Sequence, residues 1–273
     1  MSRYDDIVHK FLGEADKKRK ELASKFKDVV KKLAKGKDAV EFEHGVAIKG
    51  DTMKLLPELK KIPWGLVVWD PPYLQTDGKA EKLFKELEGT TSKENFYGKY
   101  IPDTVEKIAP LVHDSMILFG GDMTGLPFII ELARHGVTLR RSNVWLRNMP
   151  KPRFTYGESP IIAGEIFYWL GKTGEKATYH SYRLPNVKGG DWKGANIYAY
   201  SQHSEYPYVK PRKLLYQAMQ DFGNPPVLDP MAGWMTAGLV SERLGLPWVC
   251  IEIRPEIFEQ GIKRFKNLNK LEW

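Results

Sequence analysis

The stretch PPVLDPMAGWMTAGLVSERLGLPWVCIEI, residues 225–253, combines two short apolar runs with a helical pattern between them. PPVLDPMAG (225–233) is typical of a buried strand followed by a tight loop, and PWVCIEI (247–253) is typical of a second buried strand. TAGLVSERLG (236–245) has helical spacing and ends in a glycine. A strand–helix–strand unit of this kind predicts a parallel sheet covered by helices.

The same alternation of strands and helices runs through most of the chain. We predict further strands at 45–51, 64–70 and 115–121, and further helices at 52–61, 126–136, 213–223 and 255–268. Repeated alternation is typical of doubly wound folds. The predicted fold class is therefore α/β, with a mostly parallel, doubly wound sheet.

Four of the predicted strands end in an acidic residue. These residues are Asp51, Asp70, Asp229 and Glu252. Because the carboxyl ends of parallel strands meet at one edge, where such sheets bind their ligands, we expect the four carboxylates to line a binding site. Asp51 also stands where it could cap the following helix, and capping does not exclude contact with a ligand.

Composition limits the classes of function. The chain has 273 residues and a formal net charge of +8, which favours a polyanionic partner. Its single cysteine, Cys250, excludes an internal disulfide and fits the reducing cytoplasm, the expected location. No apolar run reaches the roughly 18 residues of a membrane span, and the N-terminus is too polar for a secretory signal. We therefore expect no contact with membranes.

Charge divides the chain into three parts. Residues 1–38 contain 12 basic and 7 acidic residues and predict one or two amphipathic helices, whose lysines either face solvent or contact DNA or a partner. Residues 139–213 contain 13 basic and 5 acidic residues among many aromatic rings. This segment is either a nucleic-acid surface or an irregular β insertion. Residues 39–138 and 214–273 form the predicted core.

Five motifs in a fixed order resemble one enzyme family. They are IKGDTMKLL (48–56), VVWDPPY (67–73), YPYVKPRKLL (206–215), VLDPMAGWMTAGLVSERLG (227–245) and WVCIEIRPEIFEQ (248–260). Together they resemble the beta-type amino-group DNA methyltransferases, in which the catalytic motif comes first, a target-recognition region follows, and the cofactor loop comes last. The resemblance covers about residues 42–268, so 139–213 is interpreted as the target-recognition insert.

The resemblance implies transfer of a methyl group from S-adenosylmethionine to the exocyclic amine of a base swung out of double-stranded DNA. It implies that the amine bonds to Asp70 and to a rigid carbonyl of Pro71–Pro72, and that Tyr73 stacks on the base. The residues implied to serve the cofactor are Asp51, Asp70, Lys210, Asp229, Pro230, Met231, Ala232, Gly233 and Glu252. Of these, Glu252 is expected to bind the ribose hydroxyls and Asp51 the adenine amine. No metal site is predicted.

Phosphate contacts in the insert are predicted for Arg147, Lys151 and Arg153, which flank two prolines in LRNMPKPRF.

One departure from the family is Met235, where a second loop glycine is usual. The methionine predicts either crowding of the cofactor or an altered loop path.

Aspartate at the first position of the tetrad favours adenine N6 by family resemblance. The sequence leaves other functions open: methylation of cytosine N4, methylation of RNA or of a protein amide, and DNA binding by an inactive protein of the same fold. It also leaves open whether the chain forms a homodimer and whether it has a cognate restriction nuclease as a partner.

Overall fold

The computed structural model describes residues 3–72, 95–120, 122–147, 164–174, 197–200, 209–266 and 268. Its strands are β1 (Ala39–Glu41), β2 (Gly45–Lys49), β3 (Leu66–Trp69), β4 (Ser115–Phe119), β5 (Val137–Arg147), β6 (Gly164–Lys172), β7 (Ile197–Tyr200), β8 (Val227–Asp229) and β9 (Trp248–Glu252). Its α-helices are α1 (Arg3–Lys32), α2 (Thr52–Leu59), α3 (Ile101–Ile108), α4 (Asp122–Arg134), α5 (Arg212–Phe222), α6 (Thr236–Arg243) and α7 (Pro255–Phe265). A π-helical turn (Phe96–Tyr100) and a 3₁₀ turn (Ala109–Leu111) flank α3.

The described strands form one sheet in the order β1-β2-β9-β8-β3-β4-β6-β5-β7. β1 and β6 run antiparallel to their neighbours, and the other seven strands run parallel to one another. Every residue of β3, β4 and β9 is buried, as expected for parallel strands with helices on both faces. The prediction of a mostly parallel sheet is confirmed.

Helices cover both faces of the sheet. Val67 of β3 belongs to a core cluster that includes residues of α2, α3 and α4. Its neighbours Leu66 and Val68 belong to a second cluster, which includes residues of α5, α6 and α7. Successive side chains of a strand point to opposite faces, so β3 contributes to both cores. The sheet is therefore doubly wound, as predicted.

The basic N-terminal segment forms the single helix α1 rather than two helices. Its apolar residues Phe26, Val30 and Leu33 are buried. Arg19 Nη2 donates a 3.1 Å hydrogen bond to Met219 O near the end of α5, which ties α1 to the core.

Among the described residues, no helix combines the length and the apolar composition that crossing a bilayer requires.

Part of the predicted insert belongs to the sheet. β5 and β6 pair along most of their length, and β7 pairs with β5, so three strands from 137–200 extend the core sheet beyond β4. The predicted boundary between residues 138 and 139 falls inside β5. The assignment of the segment to target recognition stays a prediction.

Candidate active site

The four predicted acids follow four adjacent strands. Asp70 comes directly after β3, Asp229 and Glu252 are the last residues of β8 and β9, and Asp51 comes two residues after β2. Because β2, β9, β8 and β3 are consecutive in the sheet, the acids form a row in the order Asp51, Glu252, Asp229, Asp70. Three inter-strand spacings of about 4.8 Å make this row about 14 Å long.

Asp70 forms an ion pair at one end of this row. Lys210 Nζ donates a 2.6 Å hydrogen bond to Asp70 Oδ2. The Lys210 side chain is 16% exposed and the Asp70 side chain is 32% exposed. The same ammonium lies 5.2 Å from the centre of the Phe119 ring, at the end of β4. Pro71, the next residue, is buried, and Pro72 is half-buried.

Glu252 holds the loop that follows β8. Its Oε2 accepts a 2.8 Å hydrogen bond from Gly233 N, and its Oε1 accepts bonds from N and Nε of Arg254 at 3.0 and 3.1 Å. Gly233 adopts a φ of 49°, a left-handed conformation that favours glycine. A side chain added at Gly233 would meet no atom within 4 Å, so the loop borders open space.

Met235 adopts a left-handed backbone conformation, which favours glycine. Its φ is 58°, and its side chain is fully buried in the core between the sheet and α5, α6 and α7. A Cβ built on Gly261 of α7 would lie 2.9 Å from Met235 Cγ, so the methionine fills the space that this glycine leaves. The side chain therefore packs into the protein core.

The loop after β8 is also held from α2 and α7. Thr52 Oγ1 donates to Pro230 O, and Arg264 Nη1 donates to Trp234 O and, over 3.1 Å, to Thr236 Oγ1. Asp51 caps α2, since its Oδ1 accepts a 2.9 Å bond from Met53 N. The alternative interpretation of Asp51 as a cap is thus confirmed, and a ligand contact stays a prediction.

Asp229 is a buried acid. Burial raises the pKa of its carboxyl well above the usual range, and the negative charges of Asp70 and Glu252 raise this pKa further. The Met231 N–H, which donates to Oδ1 over 3.3 Å, and the charge of Lys210 act in the opposite direction. The folded chain therefore binds a proton at Asp229 more tightly than the unfolded chain does.

Replacing Asp229 by asparagine is expected to raise thermal stability at neutral pH. Below about pH 4 the carboxyl is protonated in both states. As the pH rises, the unfolded chain loses a proton that the folded chain retains, so the wild type loses up to about 1.4 kcal/mol per pH unit until the folded carboxyl ionises.

Melting curves of both proteins from pH 4 to pH 8, without cofactor, measure this difference. The melting temperatures should nearly coincide at pH 4 and separate as the pH rises, by about 2–4 °C for each kcal/mol. Asp28→Asn, at an exposed aspartate of α1, is the control. A difference that does not change with pH would contradict the assigned direction.

The structure brings together most of the predicted cofactor residues. Asp51, Asp70, Lys210, Gly233 and Glu252 lie at or beside the carboxyl edge of the sheet, with Asp229, Pro230, Met231 and Ala232 in the strand and loop between them. Tyr73, Lys151 and Arg153 lie outside the described residues. Only the backbone of Arg147, at the end of β5, is described.

Sequence reasoning missed several residues that support this edge. Phe119, Thr52, Arg254 and Arg264 each contact the acids, Lys210 or the loop after β8. Phe119 lies in the predicted strand 115–121 and is the last residue of β4, beside β3, so its position could have indicated a role. The contacts of Arg264 join residues about 30 positions apart and leave no local signal.

Comparisons with known proteins point to one family. Residues 65–263 match the N6/N4 methyltransferase family model, described as DNA methylase. The type II methyltransferase M2.LlaDCHI of Lactococcus lactis subsp. cremoris is 23% identical over 259 residues, which cover 84% of this chain and 91% of that protein. M2.DpnII of Streptococcus pneumoniae is 22% identical over 253 residues, which cover 82% and 91%.

Solved structures share the fold. The M1.HpyAVI–SAM complex aligns with a TM-score of 0.61 at 18% identity and covers 80% of this chain and 98% of its own. PvuII DNA methyltransferase, described as cytosine-N4-specific, aligns with a TM-score of 0.59 at 19% identity, covering 83% and 90%. Since the family match spans well over half of the chain and includes both Asp70 and the loop after β8, the chain belongs to the N6/N4 DNA methylase family.

Proposed function

We propose that this protein methylates the N6 amine of adenine in double-stranded DNA with S-adenosylmethionine as the methyl donor. The observation that carries the proposal is the position of Asp70–Pro71–Pro72, directly after the central strand β3 and in one row with the buried acids Asp229 and Glu252. A catalytic carboxylate at one end of this row stands beside a loop that can receive a cofactor.

The residues present fit the cofactor. Gly233 borders open space and has the left-handed backbone of a loop that can approach a ligand closely. Glu252 would bind the ribose hydroxyls and Asp51 the adenine amine, which puts the adenosine at the β2–β9 side of the row. Asp70, about 14 Å from Asp51 by strand count, then lies at the methyl end. When bound, S-adenosylmethionine supplies a methyl group from a positively charged sulfonium.

The chain's own residues would activate the amine. The lone pair of an exocyclic amine is delocalised into the base, so the nitrogen is a weak nucleophile. Asp70 and a backbone carbonyl of Pro71–Pro72 would accept its two N–H bonds, which favours a pyramidal nitrogen whose lone pair points at the methyl group. The nitrogen would receive the methyl group that bound S-adenosylmethionine supplies, and it would release one proton to water.

The second candidate substrate is cytosine N4. A cytosine-N4-specific enzyme, PvuII DNA methyltransferase, shares the fold, and both amines present the same chemical problem to Asp70. Adenine is favoured because the tetrad begins with aspartate rather than serine, an argument that rests on family resemblance.

Identification of the methylated nucleoside tests the proposal. The chain is expressed in a host that lacks DNA methylation, and the host DNA is digested and analysed by mass spectrometry. We expect N6-methyldeoxyadenosine, and none with the Asp70→Ala variant. N4-methyldeoxycytidine would assign the second candidate instead. Neither nucleoside, from a folded protein that also fails to methylate host-derived DNA in vitro, would refute both.

Arg147, Lys151 and Arg153 are proposed to bind DNA phosphates. Each phosphate contact releases condensed cations, so affinity should fall with salt at a log–log slope of about −0.9 per contact. Replacing all three by alanine should flatten this slope by up to about three units and weaken binding to every duplex alike. Fluorescence anisotropy at several salt concentrations measures both. An unchanged slope would contradict the phosphate contacts, and a loss confined to one sequence would indicate base contacts.

A further inference from the structure

Lys210 reaches the active site from a segment far from Asp70 in the chain. It lies two residues before α5, and its neighbours fix its backbone: Val209 is 4% exposed, and Pro211 caps the helix with a φ of −61°. Because proline restricts φ and Val209 is anchored in the core, the Cα of Lys210 has little freedom. The side chain therefore starts from a fixed point beside the carboxyl edge of the sheet.

The head of Lys210 is held between two groups of the core strands. Its Nζ is 2.6 Å from Asp70 Oδ2, after β3, and 5.2 Å from the centre of the Phe119 ring, on β4. The Phe119 ring in turn packs against Phe167 of β6, with ring centres 5.6 Å apart. A cation over an aromatic face adds attraction to the ion pair, and partial burial of both charges makes the pair stronger than an exposed one.

The charges around Asp70 give this pair a chemical role. Asp229 and Glu252, both buried, bring two more carboxyl groups to the same edge. Arg254 pairs with Glu252, whereas Lys210 pairs with Asp70. The hydrogen bond from Lys210 to Oδ2 restricts rotation of the Asp70 carboxylate, and a carboxylate held in one orientation accepts the target N–H bond in the geometry that activates the amine.

We infer that Lys210 is a positioning residue that holds the Asp70 carboxylate by its Oδ2 in the orientation that accepts the target amine. This inference rests on the proposed function and gives Lys210 a role different from the predicted cofactor contact. Lys210 acts through Asp70 and touches neither the methyl donor nor the base. Since Lys210 lies two residues before α5 and within the proposed recognition segment 139–213, it also links the orientation of Asp70 to the C-terminal end of that segment.

The test compares Lys210→Met, Lys210→Arg and the control Lys213→Met, an exposed lysine on the next turn. Steady-state methylation of duplex DNA gives kcat and KM, and calorimetry gives the Kd for S-adenosylmethionine independently of turnover. We expect Lys210→Met to lower kcat about 10–30-fold and to leave both the DNA KM and the cofactor Kd within about threefold. Lys210→Arg, which keeps the charge and a donor, should recover kcat to within about fivefold of the wild type.

Two results would overturn the inference. One is a cofactor Kd weakened tenfold or more with kcat retained at saturating cofactor, which would make Lys210 a cofactor ligand. The other is an additive loss when Lys210→Met is combined with Asp70→Ala in single-turnover assays, because a residue that acts through Asp70 has no further effect once Asp70 is gone. Lys210→Gln replaces the methionine variant if that one does not fold. A wild type without any methyl transfer would refute the proposed function itself.

Discussion

Replacement of Asp70 by alanine is expected to lower methyl transfer at least about 10³-fold and to leave the Kd for S-adenosylmethionine within about fivefold. The carboxylate serves the amine, so its loss removes the hydrogen bond that activates the nucleophile and leaves the cofactor contacts of Glu252 in place. Removal of one well-placed catalytic group typically costs about 10²–10⁴-fold in rate. Transfer of a tritiated methyl group to duplex DNA measures the rate, and calorimetry measures the affinity.

Asp103→Ala, at an exposed aspartate in the first turn of α3, is the matched control and should retain full activity. Loss of Asp70 also leaves Lys210 without its partner carboxylate, so melting temperatures of both variants should be compared. An Asp70→Ala protein that turns over at a rate near that of the wild type would exclude the proposed mechanism.

Replacement of Glu252 by alanine is expected to weaken S-adenosylmethionine binding at least about 10²-fold. A carboxylate that accepts two ribose hydroxyls makes two charge-assisted bonds, each worth about 1.5–3 kcal/mol. The change also removes the acceptor of Gly233 N and the ion pair with Arg254, so the loop after β8 keeps the bond from Ala232 N to Ile251 O but loses its bond to Glu252.

Glu252→Gln separates these two effects. Glutamine keeps the length of the side chain, and its single carbonyl oxygen can still accept the bond from Gly233 N. The second carboxylate oxygen is lost, so the side chain accepts one hydrogen bond fewer from the ribose. Its cofactor affinity should lie between those of the wild type and the alanine variant. Glu256→Ala, at an exposed glutamate of α7, is the control. Unchanged affinity in Glu252→Ala would remove Glu252 from the cofactor site.

The core of the fold was predictable because its signals are local. β3, β4, β8 and β9 are short apolar runs, and all four lie where the pattern predicts buried strands. The row of acids was predictable for the same reason, since position at a strand end places a residue at the carboxyl edge whatever the neighbouring strands are.

The rest of the sheet gave no comparable signal. β5 contains three arginines and no regular alternation of apolar residues, although it lies between β6 and β7 in the sheet. The pair of Lys210 with Asp70 joins positions 140 residues apart, so it follows from tertiary structure alone. The prediction did not include α3 and its flanking turns, although α3 is as long as the predicted helices α2 and α6.

Met235 and Gly261 form a size-matched pair that restricts how this chain can vary. A chain with glycine at position 235 would have room for alanine at 261, whereas here the added Cβ would lie 2.9 Å from Met235 Cγ. Substitution at one position therefore changes what the other tolerates. The reverse replacement, Met235→Gly, would open a cavity behind the loop, so restoring the family's usual glycine alone would destabilise this protein unless position 261 grew at the same time.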